Sequence, residues 1–85
     1  MAQIYYFSTT TCGPCKMFKP IVQQVSADLG IGIQYIDALA SPDLASKYQI
    51  NSVPTIVVTD GMNVLHKQTG VLSKPQLENL FNRFR

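Results

Sequence analysis

Apolar residues fall along this chain in short runs and longer stripes, and the two patterns alternate. Ile4-Tyr5-Tyr6-Phe7 is a short, continuous apolar and aromatic run, the pattern of a buried strand. Met17, Phe18, Ile21, Val22, Val25 and Leu29 then recur at steps of three and four, which makes one apolar face of a helix. Gly30 or Gly32 ends it, since glycine takes the left-handed conformation that closes helices. Pro20 lies inside the stripe, removes one backbone hydrogen bond and predicts a kink. Ile31 to Asp37 reads as a second strand, with Ile31, Ile33 and Tyr35 alternating against Gly32, Gln34 and Ile36.

The second half continues in the same way. Ser41-Pro42-Asp43 is a helix start: a capping hydroxyl, a proline in the first turn and an acid near the positive end of the dipole. That helix is expected to run to about Tyr48. Thr55-Ile56-Val57-Val58-Thr59 is a β-branched strand, Asp60-Gly61 a turn, and Val64 to Thr69 a strand pairing back as a hairpin. Ser73-Lys74-Pro75-Gln76 is a capping box, after which Leu77, Leu80, Phe81 and Phe84 line one helix face and Arg83 and Arg85 suit its negative end. The order is βαβαββα. A helix between the first two strands makes them parallel with a right-handed crossover. The expected fold class is α/β: a four-stranded mixed sheet flanked by three helices, with residues 1–85 as a single domain.

Composition narrows the function. With 85 residues and 46% hydrophobic residues, the chain can build a core without metal or disulfide staples. The formal charge is +2 with no basic stripe, which argues against nucleic acid as a partner. Met1-Ala2-Gln3 carries no basic leader region, and Ile4–Phe7 is too short to span a membrane. The expected location is the cytoplasm, with no membrane partner. There a lasting structural disulfide is uncommon, and a cysteine pair is more often catalytic or metal-binding.

The chain has 2 cysteines, Cys12 and Cys15, in the stretch TTTCGPCKMF. Tetrahedral zinc needs four ligands, and the chain offers two thiols and one imidazole, His66, so no metal site is expected. Two inert buried thiols are the bland alternative, because free cysteine behaves as a small hydrophobe. A redox pair accounts for the spacing best. Cys12 falls at or just before the first helical turn, where free N–H groups and the helix dipole stabilise a thiolate. Cys15 follows within one turn, so the sulfurs can meet. Pro14 fixes φ in that turn, and Gly13 leaves the backbone uncrowded. The helix begins at the carboxyl end of the first strand, where open α/β sheets place their sites.

CGPCKM, followed by Pro20 five residues after the second cysteine, resembles the active-site helix of the thioredoxin family. Val53-Pro54-Thr55 resembles that family's cis-proline loop opposite the cysteines, and Gly70 the glycine closing its substrate groove; a simple β-bulge is the alternative for Gly70. The size resembles a glutaredoxin, as in small thioredoxins of archaea and phages. The resemblance implies a thiol–disulfide oxidoreductase in which Cys12 attacks a protein disulfide and Cys15 resolves the mixed disulfide. Gly13, Pro14 and Pro54 would support the site, and Thr11, Val53, Thr55, Gly70 and Val71 would meet the substrate. No cofactor is implied beyond the Cys12–Cys15 disulfide. The implied partners are disulfide-containing proteins and a thioredoxin reductase or other thiol donor, acting on a monomer.

Several positions depart from the family pattern. Thr11 and Ser8 stand where tryptophans are usual, so a flatter, less aromatic groove is expected. Tyr6 stands where a buried aspartate is usual, and its lysine partner aligns with Tyr35. A phenol with a reference pKa of about 10 is a poor base, so Cys15 is expected to lose its proton to water or to the departing Cys12 thiolate, with Tyr6 a core residue. Lys16 and Lys19 read as a solvated helix face, His66 as solvent-facing, and Asp37 and Asp60 as turn or capping residues. Two rival functions remain: a glutathione-dependent glutaredoxin, disfavoured by Gly-Pro between the cysteines and by Thr69-Gly70-Val71, and a redox-inert binding module.

Overall fold

The computed structural model describes residues 2–85. Its elements are β1 (Gln3–Ser8), α1 (Gly13–Leu29), β2 (Ile33–Asp37), α2 (Pro42–Lys47), β3 (Thr55–Thr59), β4 (Val64–Thr69) and α3 (Lys74–Phe84). The sheet order is β2-β1-β3-β4. β1 runs parallel to β2 and antiparallel to β3, and β3 is antiparallel to β4. This is the expected βαβαββα thioredoxin-like arrangement.

Both faces of the sheet are covered, which explains the unbroken apolar runs in the central strands. Ile4 and Tyr6 of β1, with Ile56 and Val58 of β3, pack on one face against Phe18, Val22 and Val25 of α1 and Leu77, Leu80 and Phe81 of α3. Phe7, Val57 and Ile36 point to the other face and form a smaller cluster with Tyr48 and Ile50 at its edge. Alternation along the strand divides neighbouring residues between the two cores.

The boundaries differ from expectation in ways that have local causes. Gly30, not Gly32, closes α1, with φ at +69° and its N–H on Ala27 O. Ile31 N–H then bonds Ser26 O at 2.8 Å, so residue 31 finishes the helix and β2 begins only at Ile33. Met17 is 78% exposed and does not belong to the buried stripe of Cys15, Phe18, Val22 and Val25. It lies about 100° around the helix from Phe18, on the flank where Ile21 is only half-buried. α1 runs through Pro20 without ending.

At α2 the capping differs as well. The Ser41 hydroxyl makes no cap bond among the described residues. Asp37 instead accepts the Leu39 and Ala40 N–H groups at 2.9 and 3.3 Å, and Ser41 N–H goes to Asp37 O. The capping box of α3 is present in both directions: Gln76 N–H to Ser73 Oγ at 3.3 Å, and Ser73 N–H to Gln76 Oε1 at 3.0 Å. In the β3–β4 hairpin, Asp60 Oδ1 accepts Met62 N–H at 3.0 Å and Asn63 N–H at 2.7 Å. These bonds hold its carboxyl below the ordinary value. His66 is half-buried rather than solvent-facing, its ring 6.1 Å from that of Phe84.

Candidate active site

Cys12 is the N-cap of α1, with extended backbone angles of −87° and 108°. The cap position leaves its side chain over the open end of the helix, where an N–H of the first turn can reach it. Cys15 N–H does so, donating to Cys12 Sγ at 3.1 Å. Gly13 and Pro14 fill the turn between them, and both are exposed. The two sulfurs are joined as a disulfide, with the Cα atoms 5.2 Å apart. The sulfurs differ in access: Cys15 is 2% exposed and belongs to the core side of α1, while Cys12 is partly open.

The loop before β3 lies opposite. The Val53-Pro54 peptide bond is cis, and Val53 O is 3.8 Å from Cys12 Sγ. Pro54 is buried and Val53 half-buried. Pro54 O accepts the N–H of Gly70 at 2.9 Å, which ties the end of β4 to this loop. Gly70 has φ at +96°, and a Cβ there would meet nothing within 4 Å among the described residues. Its glycine answers to backbone conformation, not to crowding. Thr55, read from sequence as a groove residue, is 1% exposed, and its hydroxyl donates to Ser52 O at 2.7 Å beneath the loop. Thr11 and Val71 are exposed, each next in sequence to a residue of this cluster.

Behind Cys15 a cleft of about 300 Å³ is lined by Ser8, Thr9, Thr10, Lys16, Lys19, Tyr35, Ile36 and Asp37 as well as Cys15 itself. Tyr6 and Tyr35 meet edge-on with ring centres 5.7 Å apart. Lys19 Nζ sits 5.3 Å above the Tyr35 ring. The Tyr6 hydroxyl donates to Cys15 O at 2.9 Å. Burial, and then the neighbouring Tyr35, push the Tyr6 phenol up to about 12. It stays protonated at neutral pH and cannot act as a base there. Sequence reasoning placed Tyr6 in the core but missed this bond, since nothing in a strand pattern identifies a partner nine residues away.

The family model described as Thioredoxin matches residues 2–83. The chain belongs to the thioredoxin family. A thioredoxin-like protein of Synechocystis is 41% identical over 73 residues, covering 84% of this chain and 70% of that protein. A thioredoxin of Staphylococcus aureus is 31% identical over 83 residues, covering 95% of this chain and 80% of its own. Among solved structures, a thioredoxin variant from Halobacterium salinarum superposes with a TM-score of 0.89 at 25% identity, over 98% of this chain and 74% of that one. Thioredoxin 1 of Thermosipho africanus shares the fold, with a TM-score of 0.83 at 24% identity over 96% of this chain and 92% of its own.

Family membership and the adjacent Cys12–Cys15 pair make this thioredoxin-family chain a protein-disulfide oxidoreductase. Members of the family generally reduce disulfide substrates and are themselves reduced by thioredoxin reductase. Among the described residues, no helix is long and apolar enough to cross a membrane.

Proposed function

We propose that this chain is a small disulfide reductant, one domain over residues 1–85, in which Cys12 is the nucleophile and Cys15 the resolver. The observation that carries the assignment is the asymmetry of the two sulfurs: Cys12 is the partly open N-cap that receives Cys15 N–H, and Cys15 is buried. A thiolate at Cys12 gains from that N–H and from the positive end of α1. It attacks one sulfur of a substrate disulfide, the substrate S–S bond breaks, and the other substrate sulfur leaves as thiolate. Cys15, its proton lost to water, then attacks Cys12 Sγ. The bond to substrate breaks, and the second substrate sulfur leaves and is protonated by solvent. Substrate gains two electrons and two protons, and the chain ends as the Cys12–Cys15 disulfide. A reductase or other thiol donor returns them, so no further cofactor is required.

Gly13 and Pro14 shape the turn, and Pro54 backs it. Thr11, Val53, Gly70 and Val71 line the approach to Cys12, with Thr55 supporting the loop from below. The proposed partners are extended segments of disulfide-bearing proteins, met by a monomer in the cytoplasm. Alkylation of the reduced protein across pH, with each site separated by mass spectrometry, tests the assignment. Cys12 is expected to label fast, with a pKa below the free value of about 8.5, and Cys15 slowly. Two slow thiols at or above that value would move the role toward a binding module.

A further inference from the structure

Among the described residues, one hydrogen bond joins the sheet to Cys15, the resolver of the proposed reaction. Tyr6 of β1 is fully buried, and its hydroxyl donates to Cys15 O at 2.9 Å. Phe18 and Tyr35 hold the ring edge-on at 6.0 and 5.7 Å, which limits where the hydroxyl can point. The accepting carbonyl lies beside a weak point of α1. Pro20 has no N–H to give the carbonyl of Lys16, one turn earlier, and a proline loosens the ladder around it. On the other side of Cys15, its N–H donates to Cys12 Sγ at 3.1 Å. Cys15 is therefore gripped through its carbonyl by β1 while its N–H faces the other sulfur.

We propose that Tyr6 is a positioning residue for the second half of the reaction: its hydroxyl, through the Cys15 carbonyl, holds the resolving thiol within reach of Cys12 Sγ in the mixed disulfide. The proposal rests on Cys12 as nucleophile and Cys15 as resolver. In the mixed disulfide, Cys12 is bonded to substrate and no longer tethers Cys15. In the disulfide form Lys16 N–H meets Cys12 O at 3.3 Å and the Tyr6 hydroxyl ties Cys15 O to β1, and neither bond uses a sulfur. Tyr6 neither takes nor gives a proton in the step. The Cys15 proton goes to water, the Cys15–Cys12 bond forms, and the substrate sulfur leaves with the electron pair of the bond that breaks.

Stopped-flow reaction of the reduced protein with 5,5′-dithiobis(2-nitrobenzoate) separates the two halves. The first aromatic thiolate released reports attack by Cys12, and the second reports resolution by Cys15. Y6F keeps the ring and removes the donor. It is expected to slow the second phase about three- to tenfold, the range set by one hydrogen bond, and to leave the first within about twofold. Y48F removes a phenol hydroxyl at the edge of the cluster on the opposite face of the sheet and should leave both phases unchanged. If Y6F leaves the second phase unchanged, or slows both phases equally, the proposal is overturned. C15S must release one equivalent only; release of two would sink the nucleophile and resolver assignment itself, a separate failure. Should Y6F not fold, the mixed disulfide trapped in C15S gives the reading by nuclear magnetic resonance. A Tyr6 hydroxyl proton protected from exchange supports the proposal, and one exchanging freely with solvent overturns it.

Discussion

At the scale of single residues, Tyr6 ties chemistry to stability through its ionisation. Its phenol is raised from 10.0 to about 12 by burial and by Tyr35. Below pH 10 both folded and unfolded chains keep the proton, so the group adds no pH dependence. Between about 10 and about 12 the unfolded chain loses the proton while the folded chain keeps it, so stability falls as pH rises through that window. Tyr5 is shifted up as well, by burial first and then by Tyr48, and adds a slope of the same sign. Urea melts of the oxidised protein should therefore show stability level from neutral pH to ~10 and falling above it. The fall should be clearly shallower in Y6F; an equal slope in both proteins would show that Tyr6 is not the group responsible. The same residue marks how far sequence reasoning reached. Its burial was legible from the strand run, whereas its grip on Cys15 depends on how β1 and α1 are stacked.

At the scale of elements, the helix ends do different work. Ser73 and Gln76 close the start of α3, which seals the larger core with Leu77, Leu80 and Phe81. Ser73→Ala should cost about 1 kcal/mol in a urea melt and leave disulfide reduction unchanged. Gly70 ends β4 at φ +96°, and its N–H holds Pro54 O opposite Cys12. Gly70→Ala strains a backbone that side chains avoid, so it should lower stability by more than about 1 kcal/mol and slow turnover too. Unchanged turnover in Gly70→Ala would detach that turn from the site. The capping box of α3 and the Asp60 turn were readable because their partners lie within three residues. At the start of α2 the expected turn role of Asp37 holds, its carboxylate accepting the Leu39 N–H, whereas the Ser41 hydroxyl, expected to cap the helix, makes no cap bond among the described residues.

At the scale of the whole molecule, the two faces of the sheet are held unequally. Among the described residues, the cluster between the sheet and α1 and α3 holds ten buried residues from Ile4 to Phe81, and the cluster on the other face holds three, Phe7, Ile36 and Val57. α2 contributes no buried residue of its own among those described. Local opening follows apolar contact, so amides of α2 should exchange with deuterium well before those of β1, β3 and α1. Protection of α2 equal to that of the central strands would contradict this uneven distribution. The sequence alone determined the element order, the mixed sheet, the cysteine pair at a helix start and the burial of the first strand. Those features follow from period, propensity and neighbours a few residues apart. Only the tertiary structure decided that Cys15 is buried and Cys12 open, that Val53 O faces Cys12 Sγ across 41 residues of chain, and that Tyr6 bonds Cys15 O. Such contacts depend on how the elements are stacked, and a linear pattern carries no record of the angle or depth at which one element meets another.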